Sequence, residues 1–333
     1  MPVEAEIGHD VTLYRREPSS QKVRRIAFGR VSSSRFPVAS PLRSPIFRAL
    51  RPHQWAKNAL LVVPLITSRQ LGDPAKLTSA FEAFVSFSLM ASAVYVVNDL
   101  VDREADRAHP TKRLRPFASG ELSARFGAVL ASVLLLASLG LAVAALPGSF
   151  VGMLLIYVAV TSLYSFWLKR KMLVDVICLA GLYTLRILAG GAAEGIVISP
   201  WLLAFSMFLF LSLAFAKRYA EIAMSGPGVS LSGRGYIDTD LDLIRSVGPA
   251  AGCLSVLVLC LYLNSPEVSL LYRHPRRLWF LCPIQLYWIL RIWFVAHRNA
   301  LRDDPVLFAL RDRASWLAGL LSAGVIVAAN WKL

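Results

Sequence analysis

Asn98, Asp99, Asp102 and Asp106 stand directly behind an apolar run, FVSFSLMASAVYVV (84–97). If the helix of that run continues past Val97, Asp99, Asp102 and Asp106 fall at i, i+3 and i+7 on one face. Asn98 then lies one turn from Asp102. Carboxylates this close repel one another, and at a membrane border they are also partly desolvated. A bound cation relieves both penalties. Mg²⁺ suits the chemistry, because it prefers oxygen ligands, keeps several waters and bridges carboxylates to substrate phosphates. The spacing therefore predicts an Mg²⁺ site made by Asp99, Asp102 and Asp106 together with Asn98. The competing reading is a solvated loop of mixed charge, common next to membrane spans; alignment on one helical face favours the metal. Glu104 falls off that face, and His109-Pro110 is expected to end the helix, since a residue before proline avoids the αR region.

Three cations follow the acids: Lys112, Arg113 and Arg115. Guanidinium and ammonium groups beside bound Mg²⁺ are a common way to neutralise a diphosphate. Each of the three equally suits a charge that merely sets membrane topology. Two further charged stretches fall at apolar helix ends. YSFWLKRKMLVD (164–175) carries Tyr164, Lys169 and Asp175, and FAKRYAEI (215–222) carries Lys217, Arg218, Tyr219 and Glu221. Arg186 lies inside an apolar run, where an ionisable group is costly and usually paired or functional. Asp175 precedes it by about three turns, sharing its face without touching it.

These residues need helices in a bilayer to position them. Of 333 residues, 56% are hydrophobic and 17% charged, and the mean hydropathy is +0.54. Apolar runs of about 18–20 residues, long enough to cross a membrane as helices, recur along the chain. The expected fold is all-α: a polytopic bundle of nine spans near 46–67, 79–101, 124–146, 148–168, 172–192, 199–217, 246–264, 277–297 and 313–331. The first is the weakest, opened by Arg51-Pro52 and interrupted by Pro64. Residues 1–44, basic and rich in Ser and Pro, are expected to form a largely disordered cytoplasmic tail without a signal peptide. Residues 45–333 form the membrane domain. A net charge of +15 could indicate nucleic acid, but retention of basic loops on one membrane side explains it without that partner. Twenty-eight of the 36 Lys and Arg side chains lie between the N-terminus and Lys57 or on connections 2–3, 4–5, 6–7 and 8–9. That bias places the N-terminus and all three charged clusters in the cytoplasm. Cys178, Cys253, Cys260 and Cys282 lie in or against apolar spans without a CxxC pair, so neither a metal site nor a disulfide framework is expected.

The motif N-D-x-x-D-x-x-x-D at 98–106, at the end of the second expected span, resembles the first aspartate-rich motif of UbiA-type intramembrane prenyltransferases. RPHQWAKN (51–58), SAVYVVNDLVDREADRAHPTKRLRP (92–116), LRILAGG (185–191), AKRYAE (216–221) and ALRDR (309–313) extend the resemblance across 45–333. Within the superfamily they most resemble the decaprenyl-phosphate phosphoribosyltransferase branch. The resemblance implies a bundle around a central cavity with a polar cytoplasmic cap in a cell membrane. Aromatic-prenylating members usually carry a second Asp-x-x-x-Asp after the sixth helix; here Lys217, Arg218 and the single acid Glu221 stand there. That departure argues against a second Mg²⁺ site and a prenyl diphosphate donor. It fits phosphoribosyl pyrophosphate, which carries a 5-phosphate besides its diphosphate. The implied reaction moves 5-phosphoribose onto a polyprenyl (decaprenyl) phosphate, feeding cell-envelope arabinan precursors. Mg²⁺ on Asp99, Asp102 and Asp106 would stabilise departing pyrophosphate. Lys57, Lys112, Arg113, Arg115, Lys217 and Arg218 would clamp phosphates. Asn98, Tyr164, Lys169, Arg186 and Glu221 complete the expected substrate-binding set. Two alternatives stand beside it. One is prenyl transfer from a prenyl diphosphate to a small aromatic or lipid acceptor. The other, of another class, is a cation-dependent transporter, which would place ionisable groups near the bilayer midplane; the charge is instead concentrated at one face.

Overall fold

The computed structural model describes residues 44–333 apart from Pro110, 226–233, 302–303 and 331–333, with no strand among them. The expected disordered tail, up to residue 43, lies outside the described residues. The helices run α1 (Pro45–Leu50), a 3-10 segment (Pro52–Val62), α2 (Val63–Thr67), α3 (Pro74–Val101), α4 (Arg103–Ala108) and α5 (Pro116–Ser119). They continue as α6 (Ala124–Ala145), α7 (Gly148–Phe166), α8 (Val174–Glu194), α9 (Pro200–Ser225) and α10 (Leu241–Leu263). α11 (Pro266–Leu271), α12 (Leu281–His297), α13 (Pro305–Arg311) and α14 (Arg313–Asn330) complete the chain. Among the described residues eight segments are long and apolar enough to cross a membrane: α3, α6, α7, α8, α9, α10, α12 with the 3-10 turn that leads into it (Pro275–Phe280), and α14. They correspond to the second through ninth expected spans. All four cysteines are free thiols.

The first expected span, 46–67, is helical but broken. Arg51 sits in the left-handed region (φ 51°, ψ 55°), where an L-residue costs about 1–2 kcal/mol, and Pro52 prevents α1 from continuing. The eleven residues after it wind as a 3-10 helix, far longer than the usual three or four. Its packing against α3 supplies the reason. Trp55 Nε1 donates to Ser92 Oγ at 2.9 Å, and Asn58 Nδ2 donates to Ser88 Oγ at 3.0 Å. Three residues of 3-10 helix rise about 6 Å, and four residues of α-helix also rise about 6 Å. The step from Trp55 to Asn58 therefore matches the step from Ser92 to Ser88. Ordinary α winding would throw the first ridge out of register with the second.

α3 begins where Asp73 caps it, accepting from the Ala75 N–H at 2.9 Å, with Pro74 at the first helical position. Its 28 residues span about 42 Å, more than the roughly 30 Å hydrocarbon core, so one end must leave the apolar layer. Helical hydrogen bonding then passes almost unbroken into α4, the Asp102 N–H bonding to the Asn98 carbonyl and the Asp106 N–H to Asp102.

α8 lies at the centre. Val176, Tyr183 and Ile187 pack into one apolar core with α9, α10 and α12, while Leu182, Leu185 and Ala189 pack into a second with α3 and α7. A helix apolar on all sides is one buried on all sides. The 3-10 segment presses so closely on α8 at Gly190 that a Cβ there would lie 2.0 Å from the Leu61 carbonyl oxygen. α6 and α14, by contrast, are mostly exposed, as suits helices that face lipid.

Candidate active site

Three clusters of charge gather where α3, α7 and α9 end, α8 begins and α12 gives way to α13. The first is built on α3 and α4. Ser88, Ser92, Tyr95, Asp99, Asp102 and Asp106 recur every three or four residues, forming one stripe. Asp99 and Asp106 are buried, only 3% exposed each, and both are paired. Asp99 Oδ1 accepts from Arg51 at 2.6 Å and from Arg115 at 3.1 Å; Arg115 also reaches Asp106 Oδ2 at 2.7 Å. The Arg51 guanidinium covers the Tyr95 ring at 5.1 Å. Arg115, expected as a phosphate clamp, is thus the bridge between two aspartates.

The second cluster joins α7, α8 and α9. Asp175 and Arg218 are fully buried and paired, and Tyr164 donates to Asp175 Oδ1 at 2.8 Å. Arg218 also pairs with Glu221, and Arg234 reaches Asp175 and Glu221. Two acids balance two guanidiniums, and Arg218 is spent internally rather than presented to a phosphate.

The third cluster has a different balance. Asp304 Oδ2 accepts from Lys57 at 2.9 Å and Lys217 at 3.2 Å. Its Oδ1 accepts from the Tyr183 hydroxyl at 2.7 Å and the Val306 N–H at 3.1 Å. Burial pushes this carboxyl up, but Lys217, Lys57 and the phenol outweigh it and hold the group well below the usual carboxylate range. Among the described residues, two ammoniums against one carboxylate leave an excess positive charge. Close by, Arg186 is buried with no acidic partner among the described residues: it donates to Asn58 Oδ1 at 3.1 Å and the Leu182 carbonyl at 2.6 Å. Phe87, Tyr157 and Tyr183 surround it at 5.1–5.9 Å. This cation–π enclosure stabilises the guanidinium without cancelling its charge.

Asn98 turns away from the acids, donating to Ser165 Oγ on α7 at 3.1 Å. It lines a mostly apolar groove of about 390 Å³ walled by Ala93, Val97, Ala131, Leu135 and Phe166. Lys112 and Arg113 are exposed, and Lys169 is half-buried on the 3-10 turn after α7. Glu104 is exposed, paired with Arg103 and Arg107. Asp304 escaped the sequence reading. Its place before Pro305 signals a helix cap, but no linear spacing ties it to residues 57 and 217.

Among the described residues no three His, Cys, Asp or Glu side chains are grouped to hold a metal. The acids nonetheless fit a hard cation. Asp99 Oδ2 is buried without a hydrogen-bond partner, and half-exposed Asp102 forms no ion pair among the described residues. Unused carboxylate oxygens of this kind are the donors Mg²⁺ prefers.

A multi-pass helical bundle with a charged site at one end is the class these features define. The chain belongs to the UbiA prenyltransferase family, whose signature matches residues 59–225. It is 41% identical over 284 residues to an uncharacterized protein of Sinorhizobium fredii, of which it covers only 55% while 84% of this chain is matched. The chain thus spans about half the length of that relative. Nodulation protein NoeC of Azorhizobium caulinodans is 35% identical, with 84% of this chain and 91% of NoeC covered. Decaprenyl-phosphate phosphoribosyltransferase of Mycobacterium tuberculosis is 33% identical, with 85% and 93% covered. A solved UbiA homologue from Archaeoglobus fulgidus, bound to GPP and Mg²⁺, shares the fold with a TM-score of 0.63 at 20% identity. The match covers 85% of this chain and all of that one.

Proposed function

We propose that this protein is an Mg²⁺-dependent transferase that moves 5-phosphoribose from phosphoribosyl pyrophosphate to a polyprenyl phosphate. The observation that carries this reading is the charge balance. The acid stripe and the Asp175–Arg218 cluster are nearly neutral, whereas Lys57, Lys217 and Arg186 carry positive charge in excess of Asp304. Lys217 and Arg218 occupy the stretch where aromatic-prenylating relatives would be expected to place acids. A donor with a phosphate beyond its diphosphate matches that surplus. The likeness to decaprenyl-phosphate phosphoribosyltransferase over most of that enzyme's length supports the same substrate pair. The Archaeoglobus protein's bound Mg²⁺ supports the cofactor.

Asp99, with Asp102 and Asp106, would hold Mg²⁺, which when bound neutralises charge building on pyrophosphate. Lys57 and Lys217 bind the donor's remaining phosphate, and exposed Lys112 and Arg113 attract it. An oxygen of the lipid phosphate forms the new bond to the anomeric C1 as the C1–O bond to pyrophosphate breaks; pyrophosphate leaves with the electron pair. The attacking phosphate is already ionised, so no general base is needed, and rate enhancement rests on positioning and charge stabilisation. The polyprenyl chain lies in the groove beside Asn98, open to lipid. The charge bias of the connections supports a cytoplasmic placement of this end in a cell membrane.

Membranes holding the protein, given ribose-labelled phosphoribosyl pyrophosphate and polyprenyl phosphate, should yield labelled lipid, and chelation should abolish it. A parallel arm supplies labelled prenyl diphosphate and small acceptors. Label entering only that arm defeats the proposal and establishes prenyl transfer.

A further inference from the structure

Asp304 stands out because its four hydrogen bonds divide by purpose. Oδ1 is held from behind by the Tyr183 hydroxyl on α8 and the first turn of its own helix α13. That fixes the direction of Oδ2, which takes only ammonium donors, Lys57 from the 3-10 segment and Lys217 from α9. The two nitrogens are consequently no more than about 6 Å apart. Left alone, two like charges that close would separate. Each ammonium has three N–H groups and spends one on Asp304. The carboxylate is 8% exposed and has its acceptors engaged, so it serves poorly as a base or a metal ligand.

We infer that Asp304 is a positioning residue that yokes Lys57 and Lys217 into a single site for a phosphate monoester, the 5-phosphate of the donor. This rests on the reading of a phosphorylated ribosyl donor given above. One phosphate accepting from both ammoniums gains two charge-assisted bonds. Arg186, which shares the Tyr183 ring with Lys57 (5.9 and 5.6 Å to its centroid), adds long-range attraction. A prenyl diphosphate has no phosphate beyond its diphosphate to place there, so the yoke discriminates between donors as well as binding one.

The test is binding of ribose 5-phosphate to the full-length protein in detergent, which requires no turnover. Asp304→Asn keeps an oxygen for Tyr183 and for the helix cap, since asparagine caps about as well as aspartate, yet withdraws the charge that holds the lysines. Affinity should fall at least tenfold, with the thermal midpoint used to verify folding. Lys217→Gln should fall similarly, and the Asp304→Asn/Lys217→Gln double variant should lose little more than either single, because the three groups act as a unit. Asp304→Glu, which retains the charge, should recover part of the affinity.

Unchanged affinity in Asp304→Asn, additive losses in the double variant, or equal losses in the Asn and Glu variants would each overturn the inference. So would a wild-type protein that binds phosphoribosyl pyrophosphate but not ribose 5-phosphate, an outcome that spares the proposed reaction. Failure of label transfer with ribose 5-phosphate still bound defeats the reaction and leaves the site standing.

Discussion

Among the described residues Asp99 carries two guanidiniums on one oxygen and no hydrogen-bond partner on the other, while Asp102, one turn on, has no ion pair. Their substitutions should therefore differ. Asp102→Asn should abolish Mg²⁺-dependent turnover with an unchanged melting temperature. Asp99→Asn should lose turnover and also about 1–3 kcal/mol of stability, because Arg51 and Arg115 lose a charged acceptor; thermal unfolding in detergent separates the two. Asp175→Asn should be costlier, about 3–5 kcal/mol, since it leaves Arg218 in a fully buried site with only half-buried Glu221 for charge. Asp304 adds a pH signature. Its pKa is depressed on folding, so its stabilisation is present above the ordinary carboxylate range and is lost as pH falls through and below it. Wild type should lose stability on acidification toward pH ~3 more steeply than Asp304→Asn. The aspartate stripe was legible in sequence because its members are neighbours along one helix. Arg51, Arg234 and Asp304 were not recognised as partners, since each meets its acid or base across tens to hundreds of residues.

Among the elements, the second to ninth apolar spans were legible and their ends fell within five residues of expectation, except that α9 runs eight residues past 217 to Ser225. Length and hydropathy decide them, and bilayer thickness admits few alternatives. The 3-10 winding of Pro52–Val62 was not legible, because it arises from a match of rise against α3 rather than from local preference. Gly190 marks the other contact of that segment. Gly190→Ala places a methyl group against the Leu61 carbonyl, and backbone cannot swing aside as a side chain would. The variant should lose about 1–3 kcal/mol by overpacking and lower donor affinity by displacing Lys57; melting and ligand titration measure the two separately. A surviving melting temperature would show that the 3-10 segment moves freely on α8.

Across the whole molecule, the distribution of Lys and Arg along the sequence predicts that charge is sorted by membrane side. Single cysteines replacing Lys112 and Arg273 should react with an impermeant thiol reagent from opposite sides, Lys112 from the cytoplasm. The sequence supports this assignment by counting; the 28 residues of α3, about 42 Å, exceed the roughly 30 Å hydrocarbon core. One feature constrains how the bundle could evolve. The 3-10 segment and α3 form a vernier, two scales of different pitch whose marks coincide only about every 6 Å. A vernier cannot slip by one division. A single alanine inserted after Trp55 would turn everything beyond it by about 120°, swinging Lys57 off Asp304 while leaving all eight long helices with their full apolar length. Such a protein should still enter the membrane and should fail to bind its donor.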